Sequence, residues 1–213
     1  MNNFNTILND DKILNYYDKI ENSKEDIWWV HHNYQHVKNV ANLCEKIGIG
    51  LGFDNNFIEE VKIAALLHDI GSVYGKKNHA TRSYEMAKEY LLKQNIKLKN
   101  KEDVLEAIKI HTDDFTTKNI MACVLMLCDK LDIKDTRLTE HGKTIIGIRQ
   151  WQYIKNVNLD IKKDYIKIEL ICSSKINEKE FRDFYSTQKL FKAIENFKRN
   201  INVEIDLTLN KEI

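Results

Sequence analysis

The chain has 213 residues, 43% hydrophobic and 31% charged, with a formal net charge of +1. That composition fits a globular protein with a core of ordinary size, and the near-zero charge excludes a global field that would draw it to nucleic acid or an anionic membrane. No apolar run is long enough to span a bilayer, and the opening MNNFNTILNDD lacks the basic and apolar regions of a signal peptide, so the expected location is cytoplasmic.

Apolar periodicity predicts a helix over 4–20, another over 33–47 with His36, Val40, Leu43 and Ile47 on one stripe, and a third over 56–70. Residues 79–94 form the next, with Ala80, Tyr84, Ala87 and Leu91 on one face. In 101–111, Val104, Ala107, Ile108 and His111 share a side, and 119–131 carries Ala122, Leu125, Met126 and Asp129 together. After about Gln150 the period changes. Val157, Leu159 and Ile161 alternate with polar residues, Lys162-Lys163-Asp164 makes a turn, and Ile166, Ile168 and Leu170 alternate again, which predicts a hairpin. Helix returns over 178–197, and Ile201, Val203, Ile205, Leu207 and Leu209 read as a half-buried strand. The expected fold is therefore mainly α: a helical domain over 1–150, then a small ββαβ lobe over 151–213, α+β overall. The lobe offers no ligand constellation, so its expected role is structural or a homo-oligomer contact.

Cys44, Cys123, Cys128 and Cys172 form no CxxC pair and read as reduced core residues. Proline is absent, which leaves helix ends to Gly, Asn and capping side chains. His36, His68-Asp69, His111 and Asp129 each interrupt the apolar face of a separate helix. Any one of them alone is most simply a hydrogen-bonded core group. Four helices aiming metal-type ligands inward are better explained together by a divalent ion, which supplies the charge that buried carboxylates and imidazoles need. Mixed imidazole and carboxylate donors suit Mn, Fe, Co, Ni or Zn better than Ca.

His36, then His68-Asp69 inside LLHDIG, then Asp129 in an apolar helix resemble the HD-domain superfamily of metal-dependent phosphohydrolases, over about residues 28–138. The resemblance implies a helical bundle in which His36, His68, Asp69 and Asp129 bind one metal ion. It also implies that His79 and His111 match the extra histidines of two-metal members, with Asp69 bridging. One or two divalent transition ions are thus expected, and the placement of His79 and His111 favours two. His31, His32 and His141 read as structural or surface groups. No GYP-like signature follows His111, where the chain runs TDDFTTKN, and no Glu-Asp pair follows the HD motif. These departures argue against the cyclic-di-GMP and alarmone hydrolase classes. Ser72 stands where many HDIG proteins have Lys.

Between residues 72 and 101 lie eight Lys or Arg and only two Glu. Most form a solvated face, but Lys76, Lys77 and Arg82 flank the expected site, and Arg137 follows Asp129. All four are candidate substrate-binding residues for a phosphate. The expected function is hydrolysis of a phosphate ester or anhydride of a nucleotide or another small phosphorylated metabolite by metal-activated water, with Asp69 and His111 as catalytic candidates. No nucleic-acid or membrane partner is expected. The alternatives are a non-catalytic sensor or interaction module that binds metal and nucleotide, and a plain helical adaptor without metal.

Overall fold

The computed structural model describes residues 2–23, 29–113 and 115–212. Residue 28, where the resemblance begins, lies outside them. The element order is α1 (Asn3–Leu8), α2 (Asp11–Glu21), α3 (Tyr34–Leu51), α4 (Asn55–Leu67), a 3-10 turn (Ile70–Tyr74), α5 (His79–Lys93), α6 (Lys101–Ile110) and α7 (Ile120–Leu131). Three short 3-10 turns lead into β1 (Ile154–Lys162), β2 (Tyr165–Ser173), α8 (Glu178–Asp183), α9 (Tyr185–Ile201) and β3 (Glu204–Glu212). The architecture is mainly α with a small three-stranded sheet, as the apolar periods predict. Among the described residues no helix is long and apolar enough to cross a membrane.

Two expected helices are each broken in two. The predicted 4–20 helix stops at Asn9 and restarts because the Asp10 side chain accepts from the backbone N–H groups of Lys12 and Ile13, at 2.8 and 3.3 Å. An Asp N-cap satisfies donors that a continuous helix would bond internally. The 178–197 helix is interrupted at Phe184, whose backbone is extended (φ −72°, ψ 137°). The third predicted helix ends at Leu67, three residues early, and passes into the 3-10 turn.

Helices α3, α4, α6 and α7 pack around a common apolar centre, and nearly every residue of α7 is buried. Tyr17 ties α2 to the end of α4 by donating to the Leu66 carbonyl at 2.7 Å. In the sheet, β1 pairs with β2 antiparallel and β2 with β3 parallel, the return running through α8 and α9. Ile166, Ile168, Leu170 and Cys172 point from β2 into the core at alternate positions. Helix α9 buries Leu190, Ala193, Ile194 and Phe197, one stripe at helical spacing, and lies against α7. The buried cluster runs without a break from α1 to Val203, so one apolar core serves both parts of the chain. All four cysteines are buried and free.

Candidate metal centre

Helix ends bring the site together. His68 and His111 sit just past the C-termini of α4 and α6, and Asp129 lies in the last turn of α7. Three helix C-termini thus converge, and their partial negative charge favours a cation. His36 comes from the first turn of α3, and His79 is the first residue of α5. The turn between α4 and α5 requires Gly71. A Cβ there would come within 2.5 Å of the His79 carbonyl oxygen and of the Ser83 backbone nitrogen. The Gly71 N–H donates to Ser83 Oγ at 2.9 Å, which seats the HDIG turn on α5 and places His79 opposite Asp69.

The four histidines share one arrangement. Nδ1 of His68 meets the Ala65 carbonyl at 2.8 Å, Nδ1 of His111 the Ile108 carbonyl at 2.8 Å, and Nδ1 of His79 the Lys76 carbonyl at 3.0 Å. Nδ1 of His36 meets Asp132 Oδ2 at 2.7 Å. Each partner can only accept, so each Nδ1 carries a proton and each ring turns its Nε2 inward.

The Nε2 atoms of His68, His79 and His111 face one another and the carboxylates, while His36 Nε2, beside the same carboxylates, accepts from Arg137 Nη2 at 2.8 Å. His36 Nε2 is 3.3 Å from Asp129 Oδ1 and 3.6 Å from Asp69 Oδ2, while His68 Nε2 is 3.3 Å from Asp69 Oδ2 and 3.8 Å from Asp129 Oδ1. On the other side of Asp69, His79 Nε2 and His111 Nε2 are 3.3 and 3.6 Å from Oδ1 and 3.2 Å from each other. Among the described residues, His68 Nε2 and both Asp69 oxygens are buried with no hydrogen-bond partner. Acceptors packed against acceptors repel; a cation among them removes the conflict, and the donor set is that of a divalent transition ion. Three groups of donor atoms meet this geometry: His36, His68 and Asp69; His68, His111 and Asp129; and Asp69, His79 and His111.

The electrostatics agree. Burial resists ionisation of Asp69, but His68, His32 and His111 outweigh it and hold the carboxyl well below the usual range. At Asp129 burial is outweighed in the same way, by Lys130, His36 and His68. Burial, with His68 and His79 alongside, pushes His111 down to about 4, so its ring is neutral at neutral pH. His68 goes the other way: burial is overcome by Asp69 and Asp129, and its pKa rises.

The structure brings all six predicted ligands together: His36, His68, Asp69, His79, His111 and Asp129. Of the predicted phosphate contacts, Lys76 and Arg137 line the cleft over the cluster. Lys77 is exposed and outside that lining, and Arg82 is turned away, donating to the Gly71 and Gly75 carbonyls, where it clamps the turn. Two residues go beyond the sequence reading. His32, read as structural or surface, lines the cleft, its ring 6.1 Å from that of His36 and 6.3 Å from that of His79, and burial holds its pKa well down. Asp132 orients His36, and is itself held by Asn39 Nδ2 at 3.1 Å and Arg137 Nε at 3.3 Å. Its spacing of three from Asp129, past the end of α7, was the only signal. The C-terminal lobe also reaches the cleft, through Trp151, Tyr185, Ser186 and Lys189.

Comparison with known proteins adds a family. The HD domain profile matches residues 33–134, which span every predicted ligand. The chain is 30% identical over 118 residues to an uncharacterized protein from Clostridium beijerinckii, covering 53% of this chain and 73% of that one. A crystal structure of a predicted HD superfamily hydrolase from an uncultured Thermotogales bacterium superposes with a TM-score of 0.43 at 23% identity, over 62% of this chain and 79% of that one, a likeness too loose to bear on the site.

Proposed function

Because the chain belongs to the HD-domain family, we propose that it is a metal-dependent phosphohydrolase acting on the ester or anhydride of a nucleotide or another small phosphorylated metabolite. The observation that carries this reading is the set of inward Nε2 lone pairs, each fixed by an accepting partner on Nδ1, gathered around an ionised carboxylate.

In this reading His36, His68, Asp69 and Asp129 would hold one divalent ion. His79, His111 and Asp69 would hold a second, since Asp69 Oδ2 faces the first pair of histidines and Oδ1 the second. An ion bound there supplies a water that ionises near neutral pH and a Lewis acid for a phosphoryl oxygen. The chain supplies the rest. Asp69, ionised throughout the neutral range, orients the attacking water by accepting its hydrogen bond. Arg137, buried in the wall of the cleft, and Lys76 at the rim offset charge on the phosphoryl oxygens. His111, neutral at neutral pH, keeps its lone pair available and serves as ligand.

The test is a turnover screen of nucleotides and small phosphoesters with Mn, Fe, Co, Ni and Mg, run on the wild type and on Asp69→Ala. Hydrolysis of at least one compound by the wild type, reduced to background in the variant, is the expected result. A folded, metal-loaded wild type that hydrolyses none of them would leave the non-catalytic sensor as the better account.

A further inference from the structure

Helix α9 of the C-terminal lobe opens at the mouth of the cleft. Tyr185, Ser186 and Lys189, from its first two turns, line the same wall as Asp69 and His111. The first turn of α9 holds no acidic residue, and no side chain caps it. Its leading N–H groups carry the partial positive charge of a helix N-terminus. A second observation stands apart from the helix. Arg137 and Trp151, 7% and 8% exposed, belong to the same wall, and Arg137 Nη1 and Trp151 Nε1 are buried donors without an acceptor among the described residues. Buried donors of this kind call for an acceptor.

The charge count points the same way. Lys76, Lys130, Arg137 and Lys189 all line the cleft, against the carboxylates Asp69 and Asp129. A bound metal ion would draw on those two carboxylates, and Arg137 is already paired with Asp132 through Nε, which leaves Lys130 and Lys189 with no other carboxylate among the lining residues. A phosphomonoester dianion facing the His/Asp cluster would use only part of that charge. Burial together with the neighbouring Lys130 depresses Lys189, as expected of cations crowded together.

We propose that the α9 N-terminus, Lys189, Arg137 and Trp151 form a second anion subsite of the cleft, which takes a phosphoryl group other than the one presented to the His/Asp cluster. The substrate is then a small molecule with two or more phosphoryl groups, such as a nucleoside polyphosphate, and the C-terminal lobe is its specificity element. This inference rests on the phosphohydrolase reading above.

The experiment needs no turnover. Binding of methylenebisphosphonate and of methylphosphonate to the metal-loaded full chain is measured by calorimetry at matched free metal, with tryptophan fluorescence from the cleft as a second readout. The wild type should prefer the bisphosphonate by about tenfold or more. Lys189→Ala should cut that preference by about fivefold, while Lys192→Ala, an exposed neighbour outside the cleft, retains it; thermal melts confirm that both variants fold. A wild type without preference, or a Lys189→Ala variant with the full preference, overturns the subsite and leaves the phosphohydrolase reading standing. A wild type that binds neither probe overturns that reading, and the subsite with it.

Discussion

His36, His68, His79 and His111 each commit Nδ1 to an oxygen that can only accept, and each therefore depends on that oxygen to keep Nε2 aimed inward. For three of them the oxygen is a backbone carbonyl; only at His36 is it a side chain, Asp132, which mutation can reach. Asp132→Ala should weaken metal binding by about 10–100-fold without removing a ligand, measured by competition with a fluorescent chelator. Restoration of much of the affinity in Asp132→Asn would assign the loss to orientation of His36. The pKa of His68 supplies a second expectation. It is raised in the folded chain without metal, so protonated His68 contributes stability that is full below about 6.5, the unfolded value, and is lost as pH rises through the folded pKa. Metal needs the neutral ring, so the rise in Tm on adding Mn should grow from pH 6 to pH 8; a rise that shrinks over that range would contradict the assignment of His68 as a ligand. The six ligands were legible because each polar residue broke an apolar face or belonged to a known motif. His32 was not, because it precedes α3 in a segment without period, and Asp132 was not, because its role appears only when the end of α7 meets α3.

At the scale of elements, the site is a property of helix ends, and those ends are set by small local choices. Gly71 is one of them. Its missing side chain lets the HDIG turn lie directly on the backbone of α5, so Gly71→Ala should cost about 1–3 kcal/mol and loosen His79 from Asp69; urea unfolding and metal titration of the variant check both. A second tie lies beyond the helical part. Glu180 of α8 accepts from Arg149 Nε and Nη2 at 2.7 and 2.9 Å and from the Gly147 N–H at 2.8 Å. Arg149 is the main reason that its pKa falls to about 2. A depressed carboxyl contributes stability above its unfolded value of about 4.3 and loses it as pH falls toward the folded one. Glu180→Gln should therefore cost about 1–2 kcal/mol at pH 6, with the gap in Tm closing between pH 5 and pH 2. The strands and most helices were readable from their periods, since alternation in 154–173 and three-to-four spacing in 101–131 match the pleat and the helix turn. The breaks at Asn9 and Phe184 were not: both lie inside patterns that stay amphipathic across them, and only capping and packing choose to interrupt the helix.

For the whole molecule, the position of α9 matters most. It covers α7, the helix that carries Asp129, and brings Tyr185 and Lys189 to the cleft from more than fifty residues further along the chain. Nothing in the alternating pattern of 154–209 predicts that the lobe reaches the site, because that contact depends on how the sheet and α9 dock, not on any local period. A chain ending at Gln150 would expose the apolar face of α7 and part of the common core, so it should lose cooperative unfolding, followed by circular dichroism, and metal binding with it. The central claim is the metal centre itself. Elemental analysis of the 213-residue chain, purified without chelator and dialysed against Mn, measures it most directly. The account predicts close to two ions per chain in the wild type, about one in His79→Ala and in His111→Ala, and none in Asp69→Ala, because Asp69 belongs to two of the three groups of donors and stands between the two pairs of histidines. A folded wild type that retains no ion at micromolar Mn would contradict it.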